Sequence, residues 1–319
     1  MNRIQTHLLT AAAAGAVLAS ATAAQAAQAA PTTLATEQAP TRVAAWNGTA
    51  MWSHYDPATK AYALVKSVDG GPPTAVGVAP RSDGPFDVDL GTNRTGATYA
   101  VYTRGGDIYR LRVATGAETR IDKLSSPTLA ERDPTIQRGR IAFIRRDGGF
   151  DQLRVGDTTS GTTGSTLVVK RPSIASAELG SQHVAYVEEL ASEFGELRVH
   201  IRNLVTGADR QVYRAASGGA NEAGVTRPTY VDAPAAFVWA RTNLAAAGSR
   251  IVRYTLRGSR LGYAPGDRHY NSTAWAGTAL GVLTTGSLDA GESQGSCTDG
   301  DENYCTVALT GPLRFGAKP

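Results

Sequence analysis

A short apolar phrase built around one small residue recurs six times along the chain. The phrases occupy residues 49–52, 99–102, 141–144, 184–187, 236–239 and 280–283. Their small residues, Ala50, Ala100, Ala142, Ala185, Ala236 and Gly281, are separated by steps of 50, 42, 43, 51 and 45 residues. A repeat of this length made of short strands is typical of the blades of a β-propeller.

Each phrase is followed by an alternating segment and a glycine-containing hairpin. In the second unit, residues 108–113 alternate apolar and polar side chains with the period of a half-buried strand, and Thr115-Gly116 supplies the turn. The phased pattern predicts an all-β fold, a six-bladed β-propeller of four-stranded antiparallel blades. A tandem of β-sandwiches is disfavoured because such domains run to about a hundred residues. The predicted blades span roughly residues 42–80, 81–125, 126–172, 173–219, 220–267 and 268–319.

Residues 1–29 have the composition of a secretory signal peptide. Arg3 precedes an Ala-rich apolar stretch from Leu8 to about Leu18, and small-x-small cleavage motifs end at Ala26 and Ala29. A transmembrane anchor is the alternative, but the apolar run is shorter than the roughly 20 residues that span a bilayer. We expect a secreted, extracytoplasmic protein with no transmembrane segment after cleavage. Residues 30–41 are expected to form a flexible leader, and residues 42–319 the propeller.

The charge distribution argues against a nucleic-acid partner. A net charge of +4 arises from 32 basic and 28 acidic residues scattered along the chain, and no basic run exceeds two residues, as in Arg145-Arg146. A nucleic-acid-binding protein would carry a basic stripe. We expect a monomer that does not bind nucleic acid.

The two cysteines, Cys297 and Cys305, stand eight residues apart. In an exported protein such a pair is most simply a disulfide, which would staple the longest loop of the chain. A metal site is the alternative, but zinc would require four ligands and the five histidines are dispersed.

Two stretches resemble the repeat of TolB-type six-bladed propellers. They are Arg132-Asp133-Pro134-Thr135-Ile136 followed by residues 141–148, and Arg227-Pro228-Thr229-Tyr230 followed by residues 237–241. The resemblance extends over about residues 42–315, although Gln137-Arg138-Gly139 replaces the Ser-Pro-Asp-Gly turn of the family and we expect the N-terminal TolB domain to be lacking. The resemblance implies the propeller fold and the binding of proteins or peptides on one face.

In a propeller, the start of each innermost strand and the turn between the second and third strands lie on one side, here named the channel face. Units four to six carry their longest loops at this turn, and elaborated loops on a rigid scaffold are common binding sites. Ordinary variation of solvated loops is the alternative. The candidate binding residues of the channel face are Arg104, Arg132, Asp133, Arg145, Arg146, Glu188, Glu189, Arg227, Arg241 and His269.

One loop offers oxygen ligands for a hard cation. Asp299, Asp301 and Asn303 alternate along it in a manner that suits calcium; an acidic surface loop without a bound ion is the favoured alternative, and no other cofactor is expected. No residue is assigned a catalytic role, because nothing separates the carboxylates from ordinary charged loop residues. The sequence therefore favours a binding scaffold for an unknown protein, peptide or cell-wall ligand. An extracellular hydrolase or lyase, with its site in the propeller channel, is the alternative.

Overall fold

The computed structural model describes residues 32–38, 41–158, 164–190, 196–215, 228, 230–232, 235–241, 249–257, 260–264, 270–276, 279–285 and 305–310. Within these ranges the regular structure is entirely β, and backbone hydrogen bonds group the strands into six four-stranded antiparallel sheets. The fold is a β-propeller of four-stranded antiparallel blades.

All the strands are short, and most are joined by tight turns. In chain order they are β1 (Thr32–Glu37), β2 (Val43–Trp46), β3 (Thr49–Asp56), β4 (Ala61–Val68), β5 (Thr74–Ala75), β6 (Asp89–Thr92), β7 (Thr98–Arg104), β8 (Asp107–Arg112), β9 (Ala117–Arg120), β10 (Glu131–Gln137), β11 (Arg140–Asp147), β12 (Phe150–Asp157), β13 (Ser165–Arg171), β14 (Ile174–Leu179), β15 (His183–Glu189), β16 (Leu197–Asn203), β17 (Asp209–Ala215), β18 (Tyr230–Asp232), β19 (Ala235–Arg241), β20 (Ser249–Thr255), β21 (Arg260–Ala264), β22 (Tyr270–Ala276), β23 (Ala279–Thr285) and β24 (Cys305–Thr310).

Five sheets are built from four consecutive strands each, beginning with β2, β6, β10, β14 and β18. The first strands of successive sheets pack together: β2 contacts β6, β6 contacts β10, β10 contacts β14, and β14 contacts β18. These first strands therefore line the axis of the propeller, and the fourth strands lie at its periphery.

The sixth sheet joins the two ends of the described chain, with the order β1-β24-β23-β22. Strand β1 pairs with β24 from Thr32 opposite Leu309 to Glu37 opposite Cys305. The expectation of a flexible leader over residues 30–41 is therefore wrong for residues 32–37. Without β1, strand β24 would expose a row of unpaired backbone groups, and the added strand satisfies that edge.

Second strands are buried on both faces, which explains the continuous apolar phrases. Val101 and Tyr102 are adjacent on β7 and both are fully buried. Val101 packs with Phe143 of the next sheet, whereas Tyr102 packs with Met51 of the preceding sheet. Each strand of this kind thus contributes to two apolar layers, one on either side of its blade.

Candidate functional site

The antiparallel registers bring the start of a first strand beside the end of a second strand. In the third sheet, Glu131 lies opposite Arg145, and Arg132 lies opposite Ile144. In the fourth sheet, Ile174 lies opposite Glu188. In the third sheet, the candidate residues at the start of β10 therefore lie beside those at the end of β11 on the channel face.

Two candidate arginines of the third sheet share one buried carboxylate. Arg132 Nη2 lies 2.7 Å from Asp151 Oδ2, and Arg146 Nη1 lies 3.2 Å from Asp151 Oδ1. The Asp151 side chain is 1% exposed, whereas those of Arg132 and Arg146 are 43% and 55% exposed. The backbone N–H of Ile174 also donates to Asp151 Oδ2, at 2.8 Å. We name Arg132, Arg146 and Asp151 the twin-arginine site.

Backbone carbonyls of the segment between β13 and β14 hold both guanidinium groups. Arg132 Nη2 donates to Ile174 O at 2.6 Å, and Arg146 Nη1 donates to Pro172 O at 2.8 Å. Arg132 Nη1 also donates to Ala175 O, at 3.5 Å. The site therefore spans the seam between the third and fourth sheets, and its arginines are oriented by five acceptors rather than by solvent.

The candidate residue Arg145 is directed inward, unlike its neighbour Arg146. Arg145 Nε donates to Glu131 Oε1 at 2.7 Å, and its Nη2 donates to Leu124 O at 2.8 Å. Burial raises the pKa of Glu131, although the hydrogen bonds from Arg145 and from the Ser126 backbone partly offset the shift. This pair supports the loop that leads into β10.

In the second sheet, Arg104 is held by an acidic and an aromatic side chain. Its two terminal nitrogens donate to the two oxygens of Glu118 at 3.0 and 2.9 Å, and its guanidinium lies 4.2 Å from the centre of the Tyr109 ring. The Tyr102 hydroxyl donates to the same Glu118 carboxylate. Burial lowers the pKa of Arg104, but the hydrogen bonds to Tyr109 and Glu118 outweigh it and the pKa is raised.

Asp133 of β10 links the third sheet to the fourth sheet and to the segments that lead into β2 and β6. Its carboxylate accepts hydrogen bonds from Arg42, which precedes β2, and from the Ala177 backbone N–H of the fourth sheet, the latter at 2.6 Å. Its own backbone N–H donates to Asp87 Oδ2 at 2.8 Å. Asp133 is buried and has a φ of 53°, a left-handed conformation that aspartate tolerates better than most residues.

The two adjacent glutamates of the fourth sheet have opposite environments. Glu188 is buried, with Arg171 Nε 3.3 Å and His200 Nε2 3.2 Å from its carboxylate oxygens. Glu189 is exposed, and the Ser173 hydroxyl donates to it at 3.5 Å. His200 also stacks on Tyr186, with ring centres 4.9 Å apart.

A shallow cleft of about 280 Å³ opens on the channel face between the second and third sheets. One side is the turn between β7 and β8, Gly105 and Gly106, and the other is the loop at residues 126–130. Asp107 and Arg120 form an ion pair of 2.9 Å at its margin.

Several sequence predictions lie outside the described residues. Nothing is described of Arg227, His269, Cys297, Asp299, Asp301 or Asn303, nor of the signal peptide at residues 1–29. Arg241 ends β19 and Cys305 begins β24, but their side chains are not described. Residues 291–295 spell a Gly-x-Ser-x-Gly pattern around Ser293, and this segment also lies outside the described residues.

Sequence reasoning also missed Asp151, the residue that organises the twin-arginine site. A signal was present, because Gly148-Gly149 is a two-residue hairpin turn between β11 and β12. Such a turn pairs Asp147 with Phe150, and the next pair outward is Arg146 with Asp151.

In the described part of the chain, no three or more His, Cys, Asp or Glu residues are grouped so as to hold a metal ion. Among the same residues, no helix has the length and apolar character needed to cross a membrane.

The comparisons with known proteins identify the fold class. TolB from Acinetobacter baumannii is 12% identical, with a TM-score of 0.53 over 84% of this chain and 65% of TolB. The calcium-binding protein regucalcin from Agrobacterium tumefaciens is 13% identical, with a TM-score of 0.54 over 91% of this chain and 96% of regucalcin. Oligogalacturonate lyase from Vibrio parahaemolyticus is 10% identical, with a TM-score of 0.51 over 89% and 92% of the two chains.

At these identities the similarity shows a shared propeller fold alone. The chain spans 65% of the length of TolB. The sequence matches no protein-family model and no curated protein.

Proposed function

We propose that the protein is an exported, six-bladed β-propeller that binds a protein or peptide through its channel face. The proposal rests on the arrangement of charge at that face, where cationic side chains at the surface lie over a buried carboxylate. In the twin-arginine site the guanidinium groups reach solvent while the carboxylate beneath them is buried. A surface of this kind offers hydrogen-bond donors that are already oriented, which lowers the entropic cost of binding.

The same layering disfavours acid–base catalysis by Asp151 and by Glu131. A general acid or base must reach its substrate within hydrogen-bond distance. Asp151 and Glu131 instead accept hydrogen bonds from arginines and backbone N–H groups, and both are buried. Their role in this proposal is to position arginines.

The fold itself does not select the activity. The structural neighbours include a protein described as calcium-binding and one described as a lyase, and one fold commonly hosts unrelated functions. The proposal therefore rests on the charges of the channel face and on no neighbour's activity.

A peptide library displayed on phage and selected on the purified full chain tests the proposal. Hydrogen exchange with and without a selected peptide then maps its binding site. We expect protection at residues 128–133, 144–152, 172–176 and 186–190, which lie on the channel face. Protection confined to the opposite ends of these strands, or no enriched peptide, would reject the proposal, and cleavage of the selected peptides would favour the hydrolase alternative.

Export and ring closure belong to the same proposal and have separate tests. Expression of the full chain in a bacterium should release a protein that lacks residues 1–29 into the extracytoplasmic fraction. Averaged electron micrographs of the purified protein should show six-fold pseudo-symmetry. A protein that keeps its N-terminal segment in the membrane fraction would contradict the export proposal.

A further inference from the structure

We infer that the twin-arginine site is a subsite for a carboxylate group of a peptide ligand. The inference rests on the proposed function and adds the chemical class that the channel face recognises. Arg132, Arg146 and Asp151 together carry a charge of +1, since two guanidinium cations surround one carboxylate. One further carboxylate at the solvent side would complete a neutral group of two cations and two anions.

The unused donors of the site point to a bidentate ligand. Arg146 uses only Nη1, for Asp151 and Pro172 O. Its Nε and Nη2 have no hydrogen-bond partner within the described part of the chain. A guanidinium edge with two parallel N–H groups matches the two oxygens of a carboxylate.

The site is oriented before any ligand arrives. Asp151 fixes one edge of each guanidinium, and the carbonyls of Pro172 and Ile174 fix their directions. Two mutually repelling cations are thereby held side by side at 43% and 55% exposure, where a second anion relieves the repulsion. Ordinary surface arginines move among rotamers and lose that freedom on binding.

The charge of the site favours a carboxylate over a phosphate. A single carboxylate balances the net +1, whereas a phosphate dianion would leave an uncompensated negative charge. The peptide source follows from the proposed function, and a uronic acid of a polysaccharide is the competing source of the same group.

Calorimetric titration of the full chain with N-acetylated, C-amidated hexaglutamate tests the inference, with hexaglutamine as the uncharged matched peptide. We expect hexaglutamate to bind and hexaglutamine not to bind. Arg146→Gln and Arg132→Gln should each weaken hexaglutamate binding about tenfold, which is the effect expected for the loss of one charged hydrogen bond. Arg146→Lys keeps the charge beside Asp151 but lacks the fork, and should weaken binding at least about threefold. This variant keeps the test informative if the Gln variants fail to fold.

The matched control is Arg94→Gln. Arg94 is an exposed arginine paired with Asp157, and it lies in the turn between β6 and β7, on the side opposite the channel face. Binding to this variant should stay within about twofold of the unmodified protein. Equal hexaglutamate binding by folded Arg146→Gln, or no binding by the unmodified protein, would overturn the inference.

Two outcomes separate this inference from the proposed function, and another identifies a different source of the anionic group. Selected peptides that protect the channel face but lack acidic residues would leave the proposed function standing and reject the carboxylate subsite. Binding of trigalacturonate or inorganic phosphate in preference to hexaglutamate would reject a peptide carboxylate as the ligand. Arginine-dependent hexaglutamate binding, together with library peptides that map elsewhere, would support the subsite and reject the proposed function.

Discussion

The indole N–H of Trp52 donates a hydrogen bond of 2.6 Å to Glu37 Oε1, and both side chains are buried. Glu37 ends β1, the strand that completes the last sheet, whereas Trp52 lies in the middle of the first sheet. His54 Nδ1 lies 3.0 Å from the other oxygen of Glu37. One carboxylate thus joins the two sheets that meet where the ends of the chain are tied together.

Removal of this carboxylate should loosen the junction between the first and last sheets. Glu37→Ala leaves the buried Trp52 N–H without an acceptor, which we expect to lower the free energy of unfolding by about 2–3 kcal/mol. Urea denaturation followed by tryptophan fluorescence measures the change. Glu37→Gln keeps an oxygen acceptor and is the control. Equal losses in the two variants would contradict the role of the hydrogen bond.

The same residue predicts a pH dependence of stability. Burial raises the pKa of Glu37 above its ordinary value of 4.5, although the Trp52 hydrogen bond and the His54 charge act in the opposite direction. The folded protein therefore retains this proton at pH values where the unfolded chain has lost it. The stability that the group contributes is full below pH 4.5 and is lost as the pH rises through the folded-state pKa.

Glu37→Gln removes this titration, so the variant should gain stability relative to the unmodified protein as the pH rises from 4.5. The measurement is the difference in urea midpoint between the two proteins at a series of pH values from about 4 to 7, which brackets the ordinary carboxyl range. His54→Gln serves as a second background, because the charge of His54 opposes the upward shift of the Glu37 pKa. A difference that is constant with pH would show that Glu37 does not titrate there.

Another prediction concerns Asp133, whose carboxylate ties the third sheet to the fourth sheet and to Arg42 beside β2. Asp133→Ala removes the acceptor of the Ala177 N–H and the partner of Arg42. It also places alanine at a φ of 53°, which costs about 1–2 kcal/mol by itself. We expect a total loss of about 3–5 kcal/mol, the range for breaking a buried ion pair, measured by chemical denaturation.

Two further substitutions at this position separate the causes. Asp133→Gly removes the carboxylate but accepts the left-handed backbone, and Asp133→Asn keeps an oxygen acceptor and tolerates the same φ. The loss should be largest for alanine, intermediate for glycine and smallest for asparagine. A glycine variant as stable as the unmodified protein would mean that backbone strain alone explains the alanine result.

The repeat predicted the fold class but not the orientation of its own phrases. Ala100 packs in the layer shared with the preceding sheet, whereas Ala142 packs in the layer shared with the following sheet. When β7 and β11 are aligned on Ala100 and Ala142, side chains at equivalent positions therefore point to opposite faces of their sheets. A shift of one residue has this effect on every side chain of a strand. Sequence spacing cannot reveal this, because both neighbours of the small residue are apolar and both faces are buried.

The channel face was predictable as a location, because antiparallel strands bring the start of one beside the end of the next. The direction of each side chain was not predictable. Arg145 and Arg146 are adjacent, yet one pairs with buried Glu131 and the other reaches solvent over Asp151. Strand alternation explains the difference, but the choice depends on register, which is set by the hairpin turn and by a bulge in β10.

A close approach between the second and third sheets gives a prediction about packing. A Cβ atom built on Gly91 of β6 would lie 2.1 Å from the backbone oxygen of Ile136 in β10. The obstacle is backbone, so Gly91→Ala must push the second and third sheets apart at the axis, and we expect a loss of about 1–3 kcal/mol or more in the free energy of unfolding. Gly77→Ala is the matched control, since its Cβ would meet no atom within 4 Å. Equal urea midpoints for the two alanine variants would show that the sheets do not approach each other this closely in solution.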